Sequence, residues 1–273
     1  MKIDRVIIPL NNNSVYTGFW NVFAPVWKNH YNIIPTMIFV GSQSEFDANN
    51  FDKSYGDVIR LDPIPEVQDG YPDWSVTWSI IYGASLFNDD ICITHGIDQL
   101  PLSSYFFDRV NEVQDDKFIV GFGDAYSHYD KNTLGYYNTV TNVMYPSSHL
   151  VGKGSLFKDI YEVEESWQSE IKKVYGTREK YILKNKMYTR DSLWGLDECY
   201  SSEKISQYED RSKIVLFDFF WSYWHPKRLD RELGLHNYKC NLIMSGQYSE
   251  LHAPRPYHRN KIAIDGIIQC LVK

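Results

Sequence analysis

The sequence predicts an α/β fold in which an open, mostly parallel sheet is flanked by helices. Two observations predict it: apolar runs of strand length recur through the first hundred residues, and segments with helical spacing separate them. The chain has 273 residues, 43% of them hydrophobic, enough to bury a large core. Because strands that alternate with helices usually pair in parallel, both faces of the sheet should be covered.

Four strands are expected in the first hundred residues. They are Arg5–Leu10, Pro35–Val40, Asp57–Leu61 and Asp90–Thr94. Helices are expected between them, at residues 15–30 and 74–87. Trp74 and Trp78 lie one helical turn apart, a spacing that favours core packing over ligand contact.

The pattern is less regular after residue 100. Phe118–Phe122 and Lys213–Phe217 are strand-like, and residues 260–272 suit a closing element. Residues 155–175 and 192–202 should be largely helical. The sequence contains no internal repeat and no low-complexity linker, so we expect one domain over residues 1–273.

Composition and charge limit the classes of function. The net charge is −7, which argues against duplex nucleic acid as the main partner. Aromatic residues reach 16%, a surplus that suits stacking on bases and sugars. The four cysteines, Cys92, Cys199, Cys240 and Cys270, are far apart in the sequence, so neither a zinc site nor a disulfide framework is expected. The absence of an 18-residue apolar run predicts a cytoplasmic protein without a membrane anchor.

Two glycine-containing segments do not complete a nucleotide-binding signature. Gly121–Tyr126 lacks the third glycine of the dinucleotide fingerprint, and Val151–Ser155 lacks the upstream glycine of a P-loop. The sequence therefore supports neither a nicotinamide dehydrogenase nor a P-loop kinase.

The segment Asp90–Leu102 is the most informative part of the sequence. An apolar strand ends there in a short polar turn that contains Asp98. Ligands of open α/β sheets bind beyond the carboxyl ends of the strands, where a carboxylate can hold a metal ion. Spacing alone leaves open the alternative that Asp98 only stabilises the turn.

This segment resembles the strand and acidic motif of GT-A-fold nucleotide-sugar glycosyltransferases, particularly virus- and phage-encoded members. Three further stretches agree with the family in order, namely Tyr145–Pro146 with Gly152–Ser155, then Trp194–Glu198, then His252–Tyr257. The resemblance implies a hexosyl- or pentosyltransferase that moves a sugar from a nucleoside diphosphate sugar to an acceptor hydroxyl. It also implies a nucleotide-sugar-binding half at residues 1–100 and an acceptor-side half at residues 101–273.

The resemblance implies a divalent cation, Mn²⁺ or Mg²⁺, held by Asp98 and His252. Asp98 matches the second acidic residue of the family's Asp-x-Asp motif, but the first acidic position is Gly96. This departure leaves three alternatives open: weak metal binding, recruitment of His95 or Asp124, or a metal-independent site.

Further residues match the family's donor site. They are Pro9, Leu10, Asn11 and Tyr16 beside the base, Asp62 at the base or ribose, and Lys153, Arg255 and Tyr257. Arg255 takes the place of a cation that reaches the diphosphate, a role that suits a permanently charged guanidinium.

Trp194–Glu198 resembles an element in which a carboxylate lies near the acceptor hydroxyl. Asp197 is the first candidate for the base of a single displacement and Glu198 the second. The alternative is an acidic pair that only favours a helix N-terminus. The run Phe219–Trp224 could be a sugar platform or buried structure, and a retaining mechanism is not excluded.

Two other functions are compared with this one. A sugar-nucleotide pyrophosphorylase should carry a glycine-rich, basic loop after the first strand, which Asn11–Ser14 is not. A non-catalytic carbohydrate-binding module is favoured by Gly96. The acceptor is unidentified: a glycan, a protein or a modified base of viral DNA. If the protein is virus-encoded, we expect it to act in the host cytoplasm.

Overall fold

The computed structural model describes residues 1–67, 73–124, 143–184, 193, 195–218, 227–231 and 238–273. The strands, numbered along the chain, are β1 Arg5–Leu10, β2 Ile34–Val40, β3 Asp57–Leu61, β4 Ile91–Thr94, β5 Gln99–Pro101, β6 Phe118–Val120, β7 Leu150–Lys153, β8 Ile214–Leu216, β9 Lys227–Asp230 and β10 Tyr248–His252. The helices are α1 Trp20–Asn29, α2 Gln43–Asp47, α3 Asp73–Ser85, α4 Tyr105–Asn111, α5 Gly154–Tyr161, α6 Trp167–Gly176, α7 Arg178–Lys184, α8 Leu196–Gln207, α9 Cys240–Met244 and α10 Tyr257–Leu271.

A seven-stranded sheet organises the fold, in the order β3-β2-β1-β4-β7-β6-β8. The pairs β3·β2, β2·β1, β1·β4 and β6·β8 are parallel, whereas β7 is antiparallel to both β4 and β6. This mixed but mostly parallel sheet, flanked by helices, confirms the predicted fold class.

The first strand shows why the predicted runs are almost wholly apolar. Val6 and Ile8 enter one hydrophobic core while Ile7 enters the other, because successive side chains of a strand point to opposite faces. Pro9 is tolerated in this central strand. The carbonyl of Ile7 accepts from the His95 amide on the β4 side, and Pro9 faces the same side beyond the end of β4, where no ladder donor is needed.

Helix α3 covers one face of the sheet with its two tryptophans. Trp74 and Trp78 are 2% and 0% exposed, which confirms their predicted role in the core. The Trp78 indole donates to Glu170 Oε1 at 2.9 Å, so its polar edge is satisfied on burial.

A three-stranded sheet in the order β5-β10-β9 lies beyond the carboxyl end of β4. Strand β10 pairs antiparallel with β5, and His252 is opposite Gln99. Strand β9 pairs in parallel with β10, and Asp230 is opposite His252. The small sheet thereby brings three distant parts of the sequence together beside Asp98.

The structure corrects two expectations. The first helix begins at Trp20 rather than near residue 15, after a 3₁₀ turn at Thr17–Phe19. Cys240 and Cys270 form a disulfide with a Cα–Cα distance of 5.3 Å, contrary to the expectation that there would be none. Sequence spacing could not reveal it, because α9 and α10 meet only through the tertiary fold. None of the helices in the described ranges is both long and apolar enough to cross a membrane.

Gly83 generates a prediction because α3 approaches the sheet closely there. A Cβ added at Gly83 would lie 2.5 Å from Ile38 Cγ1. We expect Gly83→Ala to lower the free energy of unfolding by about 1–3 kcal/mol, the usual cost of overpacking a core. Urea unfolding measures it.

Gly176→Ala is the matched control, because an added Cβ at Gly176 has no heavy atom within 4 Å. It should leave stability unchanged or raise it by up to about 1 kcal/mol. Equal losses in the two variants would contradict close packing at Gly83.

Candidate functional site

Asp98 lies in the turn between β4 and β5, and its carboxylate receives three cationic side chains. Its Oδ2 is 3.2 Å from Arg231 Nη1, 3.4 Å from Arg255 Nε and 3.5 Å from His252 Nε2. The side chain is buried, with 7% exposure for the residue. Asp98 and His252 are therefore brought together, as their predicted roles require.

His252 lies between two carboxylates. Its Nε2 faces Asp98, and its Nδ1 is 3.2 Å from Asp230 Oδ2. Burial alone would lower the pKa of His252, but the hydrogen bonds to Asp230 and Asp98 outweigh it, so the pKa is raised. These contacts favour the doubly protonated imidazolium.

A second layer of charge lies beneath this one on the same face of β10, because Glu250 is two residues before His252. Glu250 Oε2 is 2.5 Å from His149 Nε2, and Glu250 Oε1 is 3.0 Å from Arg228 Nε. Burial disfavours the charged carboxylate, but Arg228 and His149 outweigh it and hold the pKa of Glu250 well below its usual range. Glu250 is thus a buried anion paired with His149 and Arg228, and His95 Nε2 lies 3.7 Å from its Oε2.

His95, His149 and Glu250 form a group that could hold a metal ion, with ligand atoms within 4.8 Å of one another. His95 Nδ1 is 3.2 Å from the Gly96 carbonyl, so that nitrogen carries the proton and Nε2 presents a lone pair. Burial, followed by the charge of His149, lowers the pKa of His95 to about 3. Two imidazoles and one carboxylate suit a borderline metal such as Zn²⁺ better than Mg²⁺.

The surroundings of Asp98 do not fit Mn²⁺ or Mg²⁺ well. These cations prefer several oxygen ligands, and a ligating imidazole must offer a lone pair. The first acidic position of the motif is tightly surrounded: an added Cβ at Gly96 would be 2.7 Å from Gln99 Oε1, which accepts the Gly96 amide at 3.0 Å. Since His252 faces carboxylates with both nitrogens, a metal-ligand role for Asp98 and His252 stays a prediction from the sequence.

The loop after β1 approaches this cluster through Tyr16. Arg255 Cζ lies 4.9 Å from the centre of the Tyr16 ring while its Nε faces Asp98. Pro9 and Leu10 are buried, and the Asn11 side chain accepts the Asn13 amide at 3.1 Å, which fixes the start of the loop. Of the predicted base-side residues, Tyr16 therefore lies next to the predicted phosphate-side arginine.

Tyr257 supports the loop from α10. Its hydroxyl donates to Asp265 Oδ1 at 2.7 Å and accepts from Lys261 at 2.9 Å. Its ring is 5.9 Å from that of Phe19, and an added Cβ at Gly18 would lie 3.2 Å from it. Because its hydroxyl is bonded to α10, these contacts support a positioning role.

Asp197 is buried at the start of α8, with 4% exposure. Burial raises the pKa of its carboxyl, although a hydrogen bond of 2.8 Å from Ser147 Oγ opposes the shift. The Ser147 carbonyl accepts from Thr94 Oγ1 at 2.8 Å, which links Asp197 to the end of β4. Glu198 is half-buried in the same helical turn. The base role of either residue stays a prediction.

Two predicted donor residues are not brought to this cluster. Lys153 pairs with Ile91, the first residue of β4, because β7 runs antiparallel, so Lys153 lies toward the opposite edge of the sheet from Asp98. Asp62 follows the outer strand β3, and its exposed side chain pairs with Arg60. Trp194 and the run Phe219–Trp224 lie outside the described residues.

The sequence reasoning missed five residues of the two layers. They are His149, Arg228, Asp230, Arg231 and Glu250. The charged, apolar, charged order of Arg228, Leu229 and Asp230 was an available signal, since it is the spacing of a strand with one charged face.

No protein-family model matches the chain, and no curated protein matches it significantly. Among solved structures, the chain is similar to the galactosyltransferase LgtC in complex with donor and acceptor sugar analogues. The TM-score is 0.53 at 12% identity, over 98% of this chain and 95% of LgtC. An active-site mutant of LgtC gives the same score and identity, over 98% and 96%. The likeness shows the fold alone, a GT-A-like open, mostly parallel sheet flanked by helices.

The raised pKa of His252 predicts how stability depends on pH. Because the folded pKa lies above the unfolded value of about 6.5, its contribution is complete below that pH and is lost as the pH rises through the folded pKa. The stability difference between wild type and His252→Gln should therefore be largest below about pH 6.5 and should shrink as the pH rises through the folded pKa. Urea unfolding at a series of pH values on both sides of about pH 6.5 measures it.

His258→Gln is the control, since it removes an exposed histidine of the following helix. A His252 difference that stays constant or grows with pH would contradict the ion pairs with Asp98 and Asp230.

Proposed function

We propose that this protein is a glycosyltransferase that moves a sugar from a nucleoside diphosphate sugar to an acceptor hydroxyl. The observation that carries the proposal is the position of the Asp98 cluster. It lies beyond the carboxyl end of β4, beside the loop after β1, in a GT-A fold that aligns over 98% of the chain. Ligands of open α/β sheets bind at such an edge.

The similar solved structure supports the same reaction class. LgtC is a galactosyltransferase that was crystallised with donor and acceptor sugar analogues. For the present chain, the class of donor is inferred by analogy of fold. The position of the Asp98 cluster beside the loop after β1 supports the same inference independently. Hexosyl versus pentosyl transfer and a virus- or phage-encoded origin stay predictions.

The reaction needs three things from the protein: positive charge at the leaving diphosphate, a binding site for the nucleoside, and a base for the acceptor proton. An acceptor oxygen attacks the anomeric carbon, the bond from that carbon to the diphosphate oxygen breaks, and the diphosphate leaves with the electron pair. Positive charge near the leaving oxygen stabilises this step, and Arg255 provides it. The loop from Pro9 to Tyr16 would hold the nucleoside, with the Tyr16 ring available to stack on the base.

The acceptor proton needs a base if the sugar is transferred by a single displacement. Asp197 is our candidate, because burial raises the pKa of its carboxyl and Ser147 links it to the end of β4. Glu198 is the second candidate. The acceptor, whether glycan, protein or modified base, is not identified by these residues.

Nucleotide titration tests the reaction class. Calorimetry with UDP, GDP and ADP, followed by a hydrolysis screen over the corresponding nucleotide sugars, should reveal binding of at least one diphosphate and slow hydrolysis of its sugar. A pyrophosphorylase would instead make a nucleotide sugar from a sugar phosphate and a nucleoside triphosphate. Binding of free sugars without any nucleotide would favour the carbohydrate-binding module.

Asp197→Asn tests the proposed base. Turnover should fall by roughly 10²–10⁴-fold while donor affinity is nearly unchanged, because a base acts on the chemical step. Ser147→Ala, which removes a hydrogen bond but keeps the carboxylate, should have a smaller effect. Steady-state kinetics and donor titration measure both.

Full turnover in Asp197→Asn would exclude the base role. A lower melting temperature, with turnover per folded molecule unchanged, would instead show that Asp197 stabilises the start of α8.

A further inference from the structure

The cations around Asp98 define a site for an anion. Three carboxylates, those of Asp98, Asp230 and Glu250, face three guanidiniums, those of Arg228, Arg231 and Arg255. His252 adds positive charge when it is protonated. The cluster is therefore neutral to slightly positive before any ligand binds.

A divalent cation on Asp98 would be opposed by this arrangement. It would have to approach a carboxylate whose Oδ2 already faces Arg231, Arg255 and His252 at 3.2–3.5 Å. Like charges at such separations repel strongly in a partly buried site. A nucleoside diphosphate, by contrast, would bring negative charge to the two guanidiniums that face this one carboxylate.

The guanidinium geometry suits a diphosphate. The contact of Arg255 with Asp98 is through Nε, and a guanidinium carries two further nitrogens that could donate to phosphate oxygens. The side chains of Arg231 and Arg255 are 28% and 26% exposed, whereas that of Asp98 is 10% exposed. The anion that orients the two arginines is thus deeper than the arginines themselves.

We propose that Arg231 and Arg255 form a clamp that binds the donor's diphosphate and neutralises it as it leaves, so that donor binding needs no divalent cation. Asp98 orients the two guanidiniums and is not a metal ligand. The inference rests on the proposed function and replaces the metal with two fixed charges. It also assigns a role to Arg231, which the sequence reasoning did not consider.

The experiment compares nucleoside diphosphate binding in excess EDTA with binding in excess Mn²⁺ or Mg²⁺. The probes are UDP, GDP, ADP and the matching nucleosides, titrated by calorimetry into protein first treated with chelator. We expect at least one diphosphate to bind in EDTA with an affinity within about threefold of that in Mn²⁺, a difference of less than 1 kcal/mol.

Four variants assign the effect to the clamp. Arg231→Ala and Arg255→Ala should each weaken diphosphate binding by about tenfold or more and leave nucleoside binding unchanged. Asp98→Asn should weaken diphosphate binding equally in EDTA and in Mn²⁺, because it disorders the arginines without removing them. Arg259→Ala, an exposed arginine of α10, is the matched control and should bind as wild type does.

The outcomes separate this inference from the proposed function. Diphosphate binding that EDTA abolishes and Mn²⁺ restores would overturn the clamp and leave the glycosyltransferase proposal intact. Equal loss of nucleoside and diphosphate binding in Arg231→Ala would also overturn it. If no diphosphate bound under either condition, the proposed function and the clamp would fail together. Arg231→Lys is a second variant for the case in which Arg231→Ala fails to fold. It keeps the positive charge but loses the forked guanidinium. A diphosphate affinity between those of wild type and Arg231→Ala supports the clamp, and an affinity equal to that of wild type overturns it.

Discussion

The pairing of β10 with β5 is the contact on which the candidate site depends. The Ala253 amide donates to the Asp98 carbonyl at 2.7 Å, and the register places His252 opposite Gln99. These backbone hydrogen bonds join segments about 150 residues apart, so they fix the position of Asp98 relative to His252 without help from the side chains. The side-chain cluster is built on this frame, and a one-residue slip would turn His252 to the opposite face, toward the core occupied by Leu251.

The two charged layers on β10 differ in how far their side chains are exposed to solvent. In the lower layer, Glu250 is closed off by His149 and Arg228, and breaking a buried pair of this kind is usually costly. In the upper layer, Arg231 and Arg255 keep about a quarter of their side-chain surface exposed. The lower layer therefore acts as fixed support, and the upper layer is the part that can redirect its hydrogen bonds to a ligand.

Much of the sheet could be predicted from sequence, whereas much of the site could not. Strands such as Arg5–Leu10 are buried on both faces, so a short apolar run is a direct sign of them. Asp98 and His252 were also predicted as partners, because a motif resemblance marked both. Arg231 directly follows β9, and Glu250 lies on β10, the central strand of the small sheet; both strands are short and carry charged residues, so neither residue is marked by an apolar run. The disulfide and the position of Lys153 likewise depend on which helices meet and on the direction of β7, properties of topology that spacing does not encode.

A clamp of arginines and a bound metal would make different demands on the protein. A metal site needs ligands held bare and deprotonated, which ties its affinity to pH and to metal supply. Arginine side chains stay charged across the physiological pH range, but they must be oriented because each contains several rotatable bonds. Asp98 supplies that orientation from below, and the Tyr16 ring lies against Arg255 from the side. In the proposed clamp, Arg231 and Arg255 supply the positive charge that a metal ion would otherwise bring to the leaving diphosphate. A second carboxylate to hold such a metal is then not needed, so a glycine at position 96 is compatible with the proposed reaction.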